Sequence, residues 1–86
     1  MNRKQLLAEL EKEYDNIYEF TGGHGDDPLN ILDEFMDDAG LYDESTDLIY
    51  AMADGEEPET LSDEVLVQLL QVFQLVVQEC KVELQD

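Results

Sequence analysis

The stretch SDEVLVQLLQVFQLVVQECKVEL, Ser62 to Leu84, decides the fold. It is rich in valine, and a β-branched run invites a strand reading. The spacing argues otherwise. Leu66, Leu69, Leu70, Phe73, Val76, Val77 and Cys80 recur at steps of three and four, over a length that strands do not reach. Val65, Val67, Val72 and Leu75 widen the apolar arc, and no charged side chain occurs from Val65 to Gln78. This helix is therefore either the centre of a bundle or covered by another chain. Thr60 and Asp63 have the spacing of a capping box at its start.

Three helices are predicted on its N-terminal side. The first runs from about Arg3 to Phe20, with an apolar stripe of Leu6, Leu7, Leu10, Tyr14, Ile17 and Tyr18. Asn2 and Gln5 suit a capping box, and Gly22 and Gly23 stop the helix. The second runs from about Pro28 to Ala39. Asp27 is its cap, and Pro28 takes the first helical position, where a missing N–H is harmless. Leu29, Leu32, Phe35, Met36 and Ala39 form its inner face, while Asn30, Asp33, Glu34, Asp37 and Asp38 form the outer one. The third is expected within STDLIYAMADG, Ser45 to Gly55, capped by Ser45 or Thr46 and barely two turns long. EEPETL, residues 56 to 61, reads as a polar loop. The expectation is one acidic all-α domain over residues 1–86, a small four-helix bundle with a short third helix.

Charge is the strongest functional signal. The 86 residues carry 4 Lys and Arg against 23 Asp and Glu, a formal net charge of −19. No Lys or Arg lies between Lys12 and Lys81, so the acids there are expected to have no cation in cis. Such a chain repels nucleic acid and attracts a basic protein. The N-terminal MNRKQLLAEL lacks an apolar signal core, and no run of 18 apolar residues is present. The single Cys forms no internal disulfide. A cytoplasmic protein without a membrane segment is the expectation.

Catalytic signals are weak. His24 sits with Asp26 and Asp27 in a Gly-rich loop, too few ligands to define a metal site. GGHG lacks the Lys of a phosphate loop. Carboxylate pairs carry no specificity in so acidic a chain, and Cys80 falls on the inner stripe as an inert thiol. No enzyme activity, cofactor or metal is expected. Tyr14 and Tyr18 fit the core, which leaves Tyr42 and Tyr50 as aromatic candidates for a binding surface.

The run DDPLNILDEFMDDAGLYDESTDLIY, Asp26 to Tyr50, resembles the second and third helices of the immunity proteins of DNase colicins and pyocins. QLLAELEKE, Gln5 to Glu13, is similar to that family's first helix, and TDLIY matches its third-helix motif. The family's second adjacent Tyr is Ala51 here and its following Pro is Met52. The resemblance implies a four-helix inhibitor that binds a basic surface beside a nuclease's catalytic centre and excludes DNA by charge and bulk. By position it assigns partner choice to Leu29, Asn30, Asp33, Glu34 and Asp37. It assigns the anchor to Asp47 and Tyr50, with Asp26 at the edge. Leu29 also belongs to the predicted inner stripe. A different class fits the charge too: an acidic DNA mimic that antagonises a restriction, CRISPR or DNA-binding protein, with acids spread over the whole surface. A homodimer through the apolar arc of the fourth helix is the third reading.

Overall fold

The structure, a computed structural model, describes residues 2–20 and 28–84. Four helices follow in order: α1 (Arg3–Glu19), α2 (Pro28–Ala39), α3 (Tyr42–Asp54) and α4 (Asp63–Leu84). No strand occurs among the described residues. The Val-rich run is thus a helix, and the fold is the expected small all-α bundle. At 1.5 Å per residue α4 is about 33 Å long, most of the molecule's 38 Å long axis.

α4 is the central element. It packs chiefly against α1 and next against α2, while α3 packs on α2. All seven residues of its predicted stripe, from Leu66 to Cys80, are buried. They meet Leu6, Leu10 and Ile17 of α1, Leu32 and Met36 of α2, and Leu48 of α3 in one core. The Tyr14 ring stands 6.2 Å from Phe73 and 6.4 Å from Tyr18, tilted to both, within the range where aromatic pairs attract. Tyr18 itself is exposed, contrary to its assignment to the core. It lies at the edge of the stripe, where α1 has turned its ring toward solvent.

The helix ends explain the boundaries. Asn2 and Gln5 form the expected reciprocal capping box. α2 closes in a Schellman turn: Gly40 has φ 73°, its N–H donates to Asp37 O, and Leu41 N–H donates to Met36 O. That turn delivers the chain straight into α3, which begins three residues earlier than Ser45. α3 therefore has 13 residues rather than two turns. Ser45 and Thr46 do not cap it. Their hydroxyls donate back to Tyr42 O inside the helix, at 2.8 and 3.0 Å. Asp43 and Glu44 in its first turn suit the positive end of the helix dipole. Gly55, also at φ 73°, ends it. At α4 the cap is Ser62, whose Oγ accepts from Val65 N–H. The Thr60–Asp63 box is not formed, because with Ser62 as cap Asp63 is the first helical residue and Thr60 lies outside the capping position.

Asp63 pairs with Arg3, 60 residues away. Arg3 is the chain's only arginine. It donates to Asp63 Oδ1 at 2.6 Å, Glu57 Oε1 at 2.7 Å, Pro58 O at 2.8 Å and Leu61 O at 2.9 Å. Two acids between Lys12 and Lys81 thus do find a cation in cis, because the start of α1 lies beside the α3–α4 connection. Hydrogen bonding to Asp63 and then Glu57 raises the Arg3 pKa above its ordinary value. The connection is also less polar in its packing than EEPETL suggests, since Pro58 and Leu61 are buried.

α4 is long and apolar enough over Asp63–Val82 to cross a membrane by length and composition alone. The sequence contains no unbroken run of 18 apolar residues, but the glutamines that interrupt this one are uncharged. In the bundle one face of this helix is the core.

Candidate protein-docking site

α2 and α3 place their acids outward for the same reason that they fold. Burying Leu32 and Met36 turns Asn30, Asp33, Glu34 and Asp37 to solvent on the opposite arc. Leu29 is half-buried and packs against the core, so it belongs with the inner face first. Asp26, the Asp27 cap, the Gly22–Gly23 stop and His24 lie outside the described residues.

On α3 the division falls inside the DLIY motif. Leu48 is fully buried and Ile49 is half-buried against the core. Asp47 is exposed and Tyr50 is 68% exposed. With α3 starting at Tyr42, Asp43, Asp47, Tyr50 and Asp54 stand at i, i+4, i+7 and i+11. They form one solvent-facing stripe. A Tyr ring thus sits in a column of carboxylates.

Three shallow grooves lie along these faces, two between α2 and α3 and one between α3 and the α3–α4 connection. Asp33, Glu34 and Asp37 of α2 share one with Tyr42. Asp37 and Tyr42 continue into a second with Gly40, Asp43 and Glu44. The third and largest, about 740 Å³, runs from Asp47, Tyr50, Ala51 and Asp54 to the α3–α4 connection. There Glu56, Glu57 and Glu59 add carboxylates beside Pro58 and Thr60. No Lys or Arg lines any of the three.

The residues assigned from sequence therefore fall into two neighbouring groups. The α2 acids meet Tyr42, whereas Asp47 and Tyr50 meet the connection. The link between them is Asp43, which shares a groove with Asp37 and Tyr42 and stands one turn before Asp47 on the α3 stripe. Tyr42 was an aromatic candidate on sequence but stood outside the assigned site. Asp43, Asp54, Glu56, Glu57 and Glu59 were also outside it. Starting the helix at Tyr42 would have placed Asp43 and Asp54 in the stripe with Asp47 and Tyr50.

Among the described residues, no cluster of His, Cys, Asp or Glu is arranged to hold a metal ion. Cys80 is buried in the core. The surface offers charge and aromatic edges, the vocabulary of protein recognition. Comparisons with protein-family models, curated proteins and solved structures find no match to this chain.

Proposed function

We propose that this protein is an inhibitor that binds a basic protein, a nuclease domain of the bacteriocin DNase type, through the acidic faces of α2 and α3. The observation that carries this reading is Tyr50, exposed within the column of Asp43, Asp47 and Asp54 and bordered by Glu56, Glu57 and Glu59. A tyrosine offers a large contact area at low entropic cost, and anchors of this kind dominate binding energy. The carboxylates supply the long-range field that steers a basic partner to the site. The resemblance of Asp26–Tyr50 to DNase immunity proteins supports the choice of a nuclease. Covering a nuclease's basic DNA-binding surface would exclude DNA without touching the catalytic centre.

The test is stopped-flow binding to such a nuclease domain, alongside DNA-cleavage assays. Tyr50→Ala should raise the off-rate about 30-fold, equivalent to roughly 2 kcal/mol. Asp33→Asn should lower the on-rate and flatten its salt dependence. Inhibition that neither substitution alters would refute the site.

The DNA-mimic reading keeps one observation in its favour. α1 also exposes Glu11, Asp15 and Glu19 at steps of four, so acids are not confined to α2 and α3. A charge-neutralising scan separates the two readings. Loss focused on the α2–α3 acids supports the nuclease inhibitor, and small equal losses around the molecule support the mimic.

A further inference from the structure

α4 has a second face, and it differs chemically from the rest of the exterior. Val67, Leu75 and Val82 are 43%, 56% and 71% exposed. Gln68, Gln71, Gln74 and Gln78 stand among them, all exposed. Val67, Gln71, Gln74, Gln78 and Val82 follow steps of four, three, four and four, which keeps them on one stripe. Four of the chain's six glutamines are here, and the span Val65 to Gln78 has no charged residue. Beside the stripe, Val72 and Leu75 form a groove with Phe35 and Ala39 of α2, with Asp38 at its rim.

We propose that this face docks a second copy of the chain, α4 against α4 in antiparallel register. Three observations lead to that occupant. The first is charge. A basic partner is drawn to carboxylates, and between Val65 and Gln78 there are none. Two copies of formal charge −19 repel over most of their surfaces, and α4 from Val65 to Gln78 brings no acid of its own to the contact, with Asp38 of α2 at its edge. The second is self-complementarity. A two-fold interface sets one patch against itself, so each group must suit its own kind. A glutamine amide both donates and accepts, and Val and Leu pack against Val and Leu. The third is the pair of charges at the ends. Glu64 is exposed at the N-terminal end of α4 and Lys81 at the C-terminal end. An antiparallel pairing about an axis between Gln71 and Gln74 brings each Lys81 to the end that carries the other copy's Glu64. It also opposes the two helix dipoles. Asp47 and Tyr50 line a separate groove, so the dimer presents two docking sites.

Sedimentation equilibrium on the full chain tests this at low and high salt. A dimer is expected, and its dissociation constant should fall about tenfold between roughly 0.05 and 0.5 M NaCl as repulsion is screened. The double variant Gln71→Glu/Gln74→Glu places four carboxylates on the seam of a dimer while touching only exposed positions. It should be monomeric at every salt concentration, with the far-UV circular dichroism of the parent. Leu75→Gln should weaken the dimer without adding charge. A wild-type chain that stays monomeric at about 0.5 M salt, where screening confines repulsion to a few ångströms, overturns the proposal. So does a dimer that the double variant leaves intact, since its contact would lie elsewhere.

Discussion

Leu48→Ala and Tyr50→Ala, two residues apart on α3, should differ sharply in the stability they cost. Leu48 is fully buried against the core. Truncating such a leucine costs about 2–5 kcal/mol, the lost transfer energy plus that of the cavity left behind. A domain of this length has a total stability of about 4–13 kcal/mol, so the variant loses a large share of it. The midpoint of thermal unfolding should drop by about 10 °C or more. Tyr50 is 68% exposed, so only a third of its side chain is covered. A tyrosine buries about 200 Å² at most, and a third of that at roughly 25 cal/mol per Å² is about 1.6 kcal/mol. The higher helix propensity of alanine returns about 0.5 kcal/mol, leaving a net loss near 1 kcal/mol. The midpoint should move by about 5 °C. Urea unfolding followed by far-UV circular dichroism measures both losses, with unchanged m-values as the check on the denatured state. The reasoning is refuted if Tyr50→Ala is as destabilising as Leu48→Ala, because Tyr50 would then be held by packing. A Leu48→Ala variant as stable as the parent would refute it equally.

Further expectations follow from the turns and ionisable groups. Gly40→Ala meets no atom within 4 Å, so its cost is the left-handed backbone alone, about 1–2 kcal/mol by urea unfolding. Arg3→Gln removes the cation from Glu57 and Asp63 and loosens the α3–α4 connection. Cleavage there by a glutamate-specific protease should become faster than in the parent, relative to cleavage in α1. Burial raises the Tyr14 pKa above its ordinary value, with Tyr18, Asp15 and Asp33 adding to the effect. A raised folded-state pKa means full stabilisation below the unfolded value of about 10, lost as pH rises from there through the folded value. Tyr14→Phe should flatten that alkaline part of a stability–pH curve. Added salt should stabilise the free protein by screening its acids, seen as a rising urea midpoint in NaCl.

The end of α2 was legible to the residue, because Gly40 has a conformational role that no neighbour can take. The buried face of α4 was legible too, since seven apolar residues in helical period leave one way to fold. The start of α3 differs from the sequence expectation for a physical reason. Ser45 and Thr46 are good caps in isolation, but the Schellman turn at Gly40 had already directed the chain into helix. Their hydroxyls then served inside the helix rather than at its end. The added residues Tyr42, Asp43 and Glu44 decide how the site is read, because they bring Tyr42 to the α2 acids and align Asp43 with Asp47, Tyr50 and Asp54. The Arg3 contacts were not legible at all. They link positions 54 to 60 apart, and no local pattern marks which acid a lone arginine will choose.

The placement of charge ties the fold to the proposed function. Acids kept only for solubility work best interspersed with cations, which relieves their repulsion. Here the outer faces of α2 and α3 carry Asp33, Glu34, Asp37, Asp43, Asp47 and Asp54 without a Lys or Arg in either helix. The ion pairs of the described structure are those of Arg3, and they go to Glu57 and Asp63 rather than to any acid of α2 or α3. The repulsion on α2 and α3 is therefore left in place, while α4 keeps the core and its own exterior free of charge from Val65 to Gln78. A basic surface docked on α2 and α3 would supply the missing cations, so that binding and the relief of self-repulsion become one event. Arg3 fits this account as a fastening. It holds the Glu56–Glu59 segment beside Tyr50, and a groove formed in advance would lower the entropy lost on docking the proposed partner.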